Sequence, residues 1–121
     1  MSKRIMAVDD SISIRQMVGF TLAREGYDVL EAVNGEDAEK KLDENDVHMM
    51  ITDLNMPKMN GIDLIKKVRA KPKYRFIPIV MLTTESNEDS VLEGKAAGAT
   101  GWIIKPFRPD QLVGVVKKLI R

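Results

Sequence analysis

The stretch ITDLNMPKMNG, residues 51–61, decides the fold that this sequence predicts. It begins as an apolar run, stops at the carboxylate of Asp53, and then turns through Pro57 and Gly61 toward a new helix. A buried-looking strand that leads through a turn into a helix is typical of one βα unit of a parallel sheet. A carboxylate at the end of such a strand needs a chemical explanation.

Short β-like runs alternate with longer helical segments along the rest of the chain. The predicted strands are residues 4–8, 28–33, 47–52, 76–82 and 102–104. Residues with capping side chains are expected to start four of the helices: Ser13 with Gln16 as a capping box, Asn34, Asn60 and Ser86. Gly26 is expected to end the first helix.

This alternation predicts an α/β protein with one parallel five-stranded sheet. Five βα units use all 121 residues, so we expect a single domain spanning residues 1–121. Right-handed crossovers bring the carboxyl ends of all the strands to one edge of the sheet. Ligands of open α/β sheets bind at that edge.

Composition excludes several classes of protein. A hydrophobic content of 44% with 31% charged residues is typical of a globular chain, and the net charge of +1 gives no general attraction to nucleic acid. The chain has no Cys and no apolar run of about 18 residues, and residues 1–11 lack the long apolar centre of a signal peptide. We therefore expect a cytoplasmic protein with neither a membrane nor a nucleic acid as its partner.

Polar side chains follow four of the five predicted strands where each strand ends: Asp9 and Asp10, Asp53, Thr83, and Lys105. Carboxylates about 4 Å apart repel by roughly 4 kcal/mol at the effective dielectric constant of a protein surface. A hard divalent cation suits such an oxygen cluster, and few protein ligands with room for water favour Mg²⁺. With Mg²⁺ and Lys105 as counter-charges and the Thr83 hydroxyl as a hydrogen-bond donor to a phosphoryl group, Asp53 is the natural nucleophile.

Each of these signals alone has a structural alternative. Residues 9–11 resemble an ordinary helix start, Lys105 with Pro106 a surface turn, and Thr83 a strand end. Their coincidence at one edge favours a functional site. A small Mg²⁺-dependent phosphatase of the aspartyl type is an alternative, although Asn55 stands where such enzymes usually carry a second Asp. A flavin-binding module is another, although the acids after the first strand would repel a phosphate.

The motifs VDDS (8–11), ITDLNMPKMNG (51–61), MLTTE (81–85) and GWIIKPF (101–107) together resemble the receiver domain of two-component response regulators. The resemblance covers the whole chain. It implies a flavodoxin-like (βα)5 fold, a three-layer sandwich with strand order 2-1-3-4-5.

The resemblance also implies the roles of individual residues. Asp53 would accept the phosphoryl group, while Asp10 would bind Mg²⁺ directly, Asp9 would hold it largely through water, and the Asn55 carbonyl would complete its ligands. Thr83 and Lys105 would contact the phosphoryl group. The side chains of Asn55 and Glu85 would tune dephosphorylation.

In proteins of this family, an aromatic residue of the fifth strand rotates inward on activation. Here that residue is Trp102. A static, half-buried edge aromatic is the alternative for this position. The bond between Lys105 and Pro106 is commonly cis in the family, although the sequence alone gives only about 5–6% for the cis form. The family's output surface would comprise Ser86, Val91, Trp102, Ile104, Phe107, Arg108 and Val115.

Within the family, the chain most resembles the single-domain regulators of chemotaxis, with no output domain attached. Such a protein is a monomeric switch and not an enzyme. We expect phosphorylation by a sensor histidine kinase of chemotaxis, dephosphorylation helped by a phosphatase, and binding of the phosphorylated form to the flagellar motor switch. An intermediate receiver in a phosphorelay is the alternative within the family.

Overall fold

Five strands alternate with five α-helices in residues 2–84 and 88–120, which the computed structural model describes. In chain order they are β1 (Arg4–Val8), α1 (Ile12–Arg24), β2 (Asp28–Ala32), α2 (Gly35–Glu44), β3 (Met49–Asp53), α3 (Gly61–Arg69), β4 (Ile79–Thr83), α4 (Glu88–Ala97), β5 (Gly101–Ile104) and α5 (Pro109–Leu119). The strands are all parallel and pair in the order β2-β1-β3-β4-β5. The flavodoxin-like fold and strand order that the motifs predict are therefore confirmed.

Both faces of the sheet are buried along its central strands. In β1, Met6 and Val8 join the core beneath α2 and α3, while Ile5 and Ala7 join the core beneath α1 and α5. Every residue of β3 and β4 is buried as well. Two covered faces explain why the strands are almost continuously apolar, and why a carboxylate at the end of β3 stands out.

Two strands begin later than the sequence predicts. β3 starts at Met49 instead of Val47 and extends to include Asp53. β4 starts at Ile79 instead of Phe76, because a short 3₁₀-helix at Pro72–Tyr74 and the turn after it precede the strand. Pro78 also has no N–H to donate to a sheet. Phe76 consequently lies outside the sheet and is 89% exposed.

The helix starts were predicted with one error. The side chains of Asn34 and Asn60 accept hydrogen bonds of 2.8 Å from Asp37 N and Asp63 N, as expected of N-caps. The first helix is capped by Ser11 and not by Ser13, since Ser11 Oγ accepts a hydrogen bond from Ile14 N. Ser86, the predicted cap of α4, lies outside the described residues.

Gly26 follows α1 with a φ of +91°, a left-handed backbone conformation that favours glycine and ends the helix as predicted. No helix in the described ranges combines the length and the apolar character that a membrane crossing requires.

Arg69, the last residue of α3, ties together the loops at the amino end of β4 and before β5. Its guanidinium donates to the Gly98 carbonyl from Nε and Nη2, at 3.0 and 2.7 Å, and to the Ile77 carbonyl at 2.6 Å. Nη1 also donates to the carbonyls of Tyr74 and Arg75. One planar, charged donor group thus satisfies carbonyls from two loops.

We predict that Arg69→Gln lowers the free energy of unfolding by roughly 2–4 kcal/mol, because several part-buried carbonyls lose a charged donor. Urea denaturation followed by circular dichroism measures the change. Arg75→Gln is the control, since the exposed Arg75 side chain should change stability by no more than about 0.5 kcal/mol. Equal losses in both variants would contradict the role of Arg69.

Candidate functional site

Three carboxylates meet at the carboxyl edge of the sheet. Asp53 is the last residue of β3 and is 6% exposed, while Asp9 directly follows β1 and is 2% exposed. Asp10 is exposed beside them. One oxygen of each carboxylate lies within 4.8 Å of the other two, so the acids named from the sequence are brought together.

Lys105 lies one residue beyond β5 and reaches this cluster from across β4. Its Nζ donates to Asp53 Oδ1 at 3.0 Å and to Asp9 Oδ2 at 3.3 Å. The side chain is only 15% exposed, and its backbone N–H donates to the Thr83 carbonyl at 2.7 Å. The peptide bond between Lys105 and Pro106 is cis.

The charges of the cluster shift two pKa values. Burial raises the pKa of the Asp53 carboxyl, and the nearby charges of Asp9 and Asp10 add to that rise, while the hydrogen bond from Lys105 opposes it. Burial alone would lower the pKa of Lys105, but the carboxylates of Asp53 and Asp9 outweigh it, so the net shift is upward. Three carboxylates against one ammonium leave two uncompensated negative charges.

This donor set fits a hard divalent cation. The clustered ligand atoms are all carboxylate oxygens, and the exposed Asp10 leaves one side of the cluster accessible from solvent. Oxygen ligands with room for water favour Mg²⁺, and a divalent charge would balance the two unpaired negative charges. Asn55, whose carbonyl the family resemblance adds to the ligands, is exposed two residues after Asp53.

Arg15 supports the loop that carries Asp9 and Asp10, and sequence reasoning missed it. Its Nη1 donates to the Asp9 carbonyl at 2.8 Å, and its Nε pairs with Glu31 Oε1 at 3.1 Å. The Asp9 carboxylate also accepts a hydrogen bond of 2.9 Å from Ser11 N. The only local signal was a basic residue in the first turns of α1 after the acids, which does not by itself reveal a contact with the backbone.

Gly61 does more than form the turn that the sequence predicts. A Cβ atom at this position would overlap the backbone carbonyl oxygen of Asp53, which real side chains do not do. The Gly61 N–H donates to the Leu54 carbonyl at 2.8 Å. Glycine therefore allows the start of α3 to pack directly on the backbone that holds Asp53.

The predicted switch residues lie on neighbouring strands. Thr83 is the last residue of β4, is buried, and follows Leu82, which is the register partner of Asp53. Trp102 on β5 is the register partner of Met81 and is 38% exposed. Glu85 lies outside the described residues.

The proposed output residues differ in exposure. Ile104 is 42% exposed, and Arg108 is exposed as well. Phe107 and Val115 are partly buried and pack against the core beneath α1 and α5, and Val91 is partly buried. Ser86 lies outside the described residues. Among the described residues of this surface, Trp102, Ile104 and Arg108 are the most exposed.

Comparison with known proteins identifies the class. The family model described as the response regulator receiver domain matches residues 5–117, so the chain belongs to that family.

The more specific resemblance is to chemotaxis proteins. The chain is 49% identical to chemotaxis protein CheY1 of Helicobacter pylori (strain J99 / ATCC 700824) over 111 residues. That alignment covers 90% of each chain. It is 47% identical to the chemotaxis protein CheY homolog of Campylobacter jejuni, over 90% of this chain and 85% of the relative. A structure of chemotaxis protein CheY4 of Vibrio cholerae superposes with a TM-score of 0.97 at 45% identity and covers 99% of this chain and 100% of its own. The chain is a CheY-like response regulator receiver, a member of a family of signalling switches.

We predict that Asp10→Asn raises the free energy of unfolding without Mg²⁺ by about 1 kcal/mol, because it removes one carboxylate from a repulsive cluster. The wild-type protein should gain stability with Mg²⁺ according to the binding linkage, and the variant should lose most of that gain. Thermal denaturation with and without Mg²⁺ measures both effects.

Asp63→Asn is the matched control, since Asp63 is exposed in the first turn of α3 and is not one of the three clustered acids. It should keep the wild-type response to Mg²⁺. An Asp10→Asn protein that gains as much stability from Mg²⁺ as the wild type would exclude this cluster as the metal site.

Proposed function

We propose that this chain is a stand-alone response regulator that is phosphorylated on Asp53 by a histidine kinase. The observation that carries the proposal is the pairing of the buried Asp53 carboxylate with Lys105 at 3.0 Å, in a cluster of two further acids. A nucleophilic carboxylate needs fixed geometry and nearby positive charge, and the end of β3 with Lys105 supplies both.

The phosphoryl donor is a phosphohistidine of the partner kinase. A carboxylate oxygen of Asp53 attacks phosphorus, the new P–O bond forms as the P–N bond breaks, and the imidazole leaves and takes up a proton. The product is an acyl phosphate on Asp53. The ammonium of Lys105 already contacts Asp53 Oδ1, so it lies beside the phosphoryl oxygens where their charge develops.

Asp9, Asp10 and Asp53, with the backbone carbonyl of Asn55, would hold Mg²⁺ in this site. Bound Mg²⁺ supplies counter-charge to the phosphoryl oxygens during transfer. Arg15 and the Ser11 N–H keep the Asp9 segment in place through their hydrogen bonds to its carbonyl and carboxylate. The side chains of Asn55 and Glu85 tune the loss of the phosphoryl group to water.

Phosphorylation acts as a switch through charge. It adds roughly 1.5 to 2 negative charges and three acceptor oxygens at the end of β3. The Thr83 hydroxyl, on the adjacent strand, moves toward the new acceptors and draws its loop along. Trp102 on β5 then rotates from its half-exposed position, and the surface around Ile104 changes shape.

The partners proposed for this switch are those of chemotaxis. The relatives with 47–49% identity carry names of chemotaxis proteins, which supports a kinase of that system as donor and the flagellar motor switch as target. The protein would act in the cytoplasm as a monomer of one domain, residues 1–121. Its chemistry is limited to its own phosphorylation and dephosphorylation, which a phosphatase accelerates.

We predict that acetyl phosphate with Mg²⁺ adds one phosphoryl mass to the wild-type protein and none to Asp53→Asn. Acetyl phosphate replaces the kinase as donor, so the measurement tests the acceptor alone. Intact-protein mass spectrometry detects the product, and Asp63→Asn should be phosphorylated like the wild type. A phosphoryl mass that persists in Asp53→Asn would contradict the assignment of Asp53 as the acceptor. Steady turnover of phosphate monoesters would instead favour a phosphatase.

We predict that the beryllofluoride-loaded protein binds a purified flagellar motor switch protein at least about tenfold more tightly than the unloaded protein, a typical allosteric coupling. Ile104→Ala should weaken the loaded complex, because it removes an exposed apolar contact of the output surface. Phe76→Ala is the matched control, since Phe76 is exposed on a loop at the opposite edge of the sheet. Calorimetric titration measures the affinities.

Two results would contradict the motor as target. The first is equal affinity of the loaded and unloaded forms. The second is rapid transfer of the phosphoryl group from Asp53 to a histidine phosphotransfer protein without motor binding, which would assign the chain to a phosphorelay.

A further inference from the structure

Trp102, the only Trp in the chain, faces α4. Its neighbour Ile103 is buried in the core beneath α1 and α5, so the alternation of side chains along β5 turns Trp102 to the opposite face of the sheet. There the Nζ atom of Lys95, in the last turn of α4, lies 4.7 Å from the centroid of the Trp102 ring. That distance is within the roughly 6 Å of a cation–π contact, for which Trp is the best aromatic partner.

Lys95 has no ion pair with any side chain that the structure describes, and other lysines of the chain differ in this respect. Lys71 pairs with Asp43 at 2.9 Å, and Lys117 pairs with Glu25 at 2.7 Å. Lys95 is exposed, and the contact found for its ammonium is the face of the indole. The contact is therefore a property of this pair and not of a wider charge network.

We propose that Lys95 is a positioning residue that holds Trp102 in its outward orientation and so sets how readily the switch changes state. The effect on switching rests on the proposed function of Asp53 and Trp102, whereas the positioning of the indole does not. An indole that rotates inward must leave the ammonium of Lys95. At an exposed site this contact favours the outward orientation about two- to fivefold, the equivalent of roughly 0.5–1 kcal/mol.

The proposal has two measurable consequences. Removal of the Lys95 charge should make the indole more mobile in the protein without any phosphoryl mimic. It should also let the mimic complete the transition at lower concentration, because a ligand shifts an equilibrium more easily when the starting state is less favoured. Arginine keeps the cation and stacks well on aromatic rings, so Lys95→Arg should preserve both properties.

The first measurement uses the single indole signal of the unloaded protein. Time-resolved fluorescence anisotropy and the chemical shift of the indole N–H are compared for wild type, Lys95→Gln, Lys95→Arg and Lys66→Gln. Lys66→Gln is the control for loss of an exposed lysine on another helix. We expect greater indole motion in Lys95→Gln alone; a Lys95→Gln signal that matches the wild type would overturn the proposal.

The second measurement titrates the same four proteins with beryllofluoride at fixed Mg²⁺ and follows Trp102 fluorescence. The midpoint for Lys95→Gln should lie two- to fivefold below that of the wild type, with Lys95→Arg and Lys66→Gln unchanged. An unchanged midpoint for Lys95→Gln would overturn the link to switching. If Trp102 fails to respond in any of the proteins while Asp53 still accepts the phosphoryl mass, the proposed switch role of Trp102 fails, and the first measurement alone decides whether Lys95 positions the indole.

Discussion

The concentration of negative charge at the carboxyl edge of the sheet is the constraint on which the rest of the structure depends. Three carboxylates lie within 4.8 Å of one another, and a single ammonium stands among them. At an effective dielectric constant of about 20, each such pair repels by roughly 3–4 kcal/mol, and solvent reduces this at the exposed Asp10. The completely buried strands β3 and β4, with apolar cores on both faces, offset that repulsion and hold the acids together. The same unbalanced charge would favour a divalent cation at this site.

Local signals in the sequence predict most of the fold. The start of β3 was predicted wrongly because pairing across the sheet decides where that strand begins. Asn34 and Asn60 cap helices through atoms three residues away, so a local pattern suffices for them. The start of β3 depends instead on the pairing of Met49 with Ile5 on β1, and a local sequence pattern carries no information about that pairing. The choice of Ser11 over Ser13 as a cap is a different error, because both serines are local candidates and α1 begins at Ile12, directly after Ser11.

The site could be predicted to the extent that topology alone brings residues together. A parallel sheet places the ends of all strands at one edge, so Asp9, Asp53 and Lys105 could be grouped although up to 96 positions separate them. The contributions of Arg15 and Gly61 could not be predicted, because both act on backbone atoms of the acid loops and not on side chains. The contact between Lys95 and Trp102 depends on how α4 lies beside an edge strand, which periodicity does not specify.

The pairing of β4 with β5 connects the acid cluster to Trp102. The Lys105 N–H donates to the Thr83 carbonyl, so the residue that binds Asp53 is joined by a backbone hydrogen bond of 2.7 Å to the residue that carries the proposed switch hydroxyl. Trp102 is the register partner of Met81, two residues before Thr83 on the same strand. A phosphoryl group can shift Trp102 only by as much as its differential interaction with the two packings. The contact of the Trp102 ring with Lys95 accounts for about 0.5–1 kcal/mol of that requirement, a value small beside a charge-assisted hydrogen bond, so the proposed phosphorylation of Asp53 would supply enough energy to release the indole.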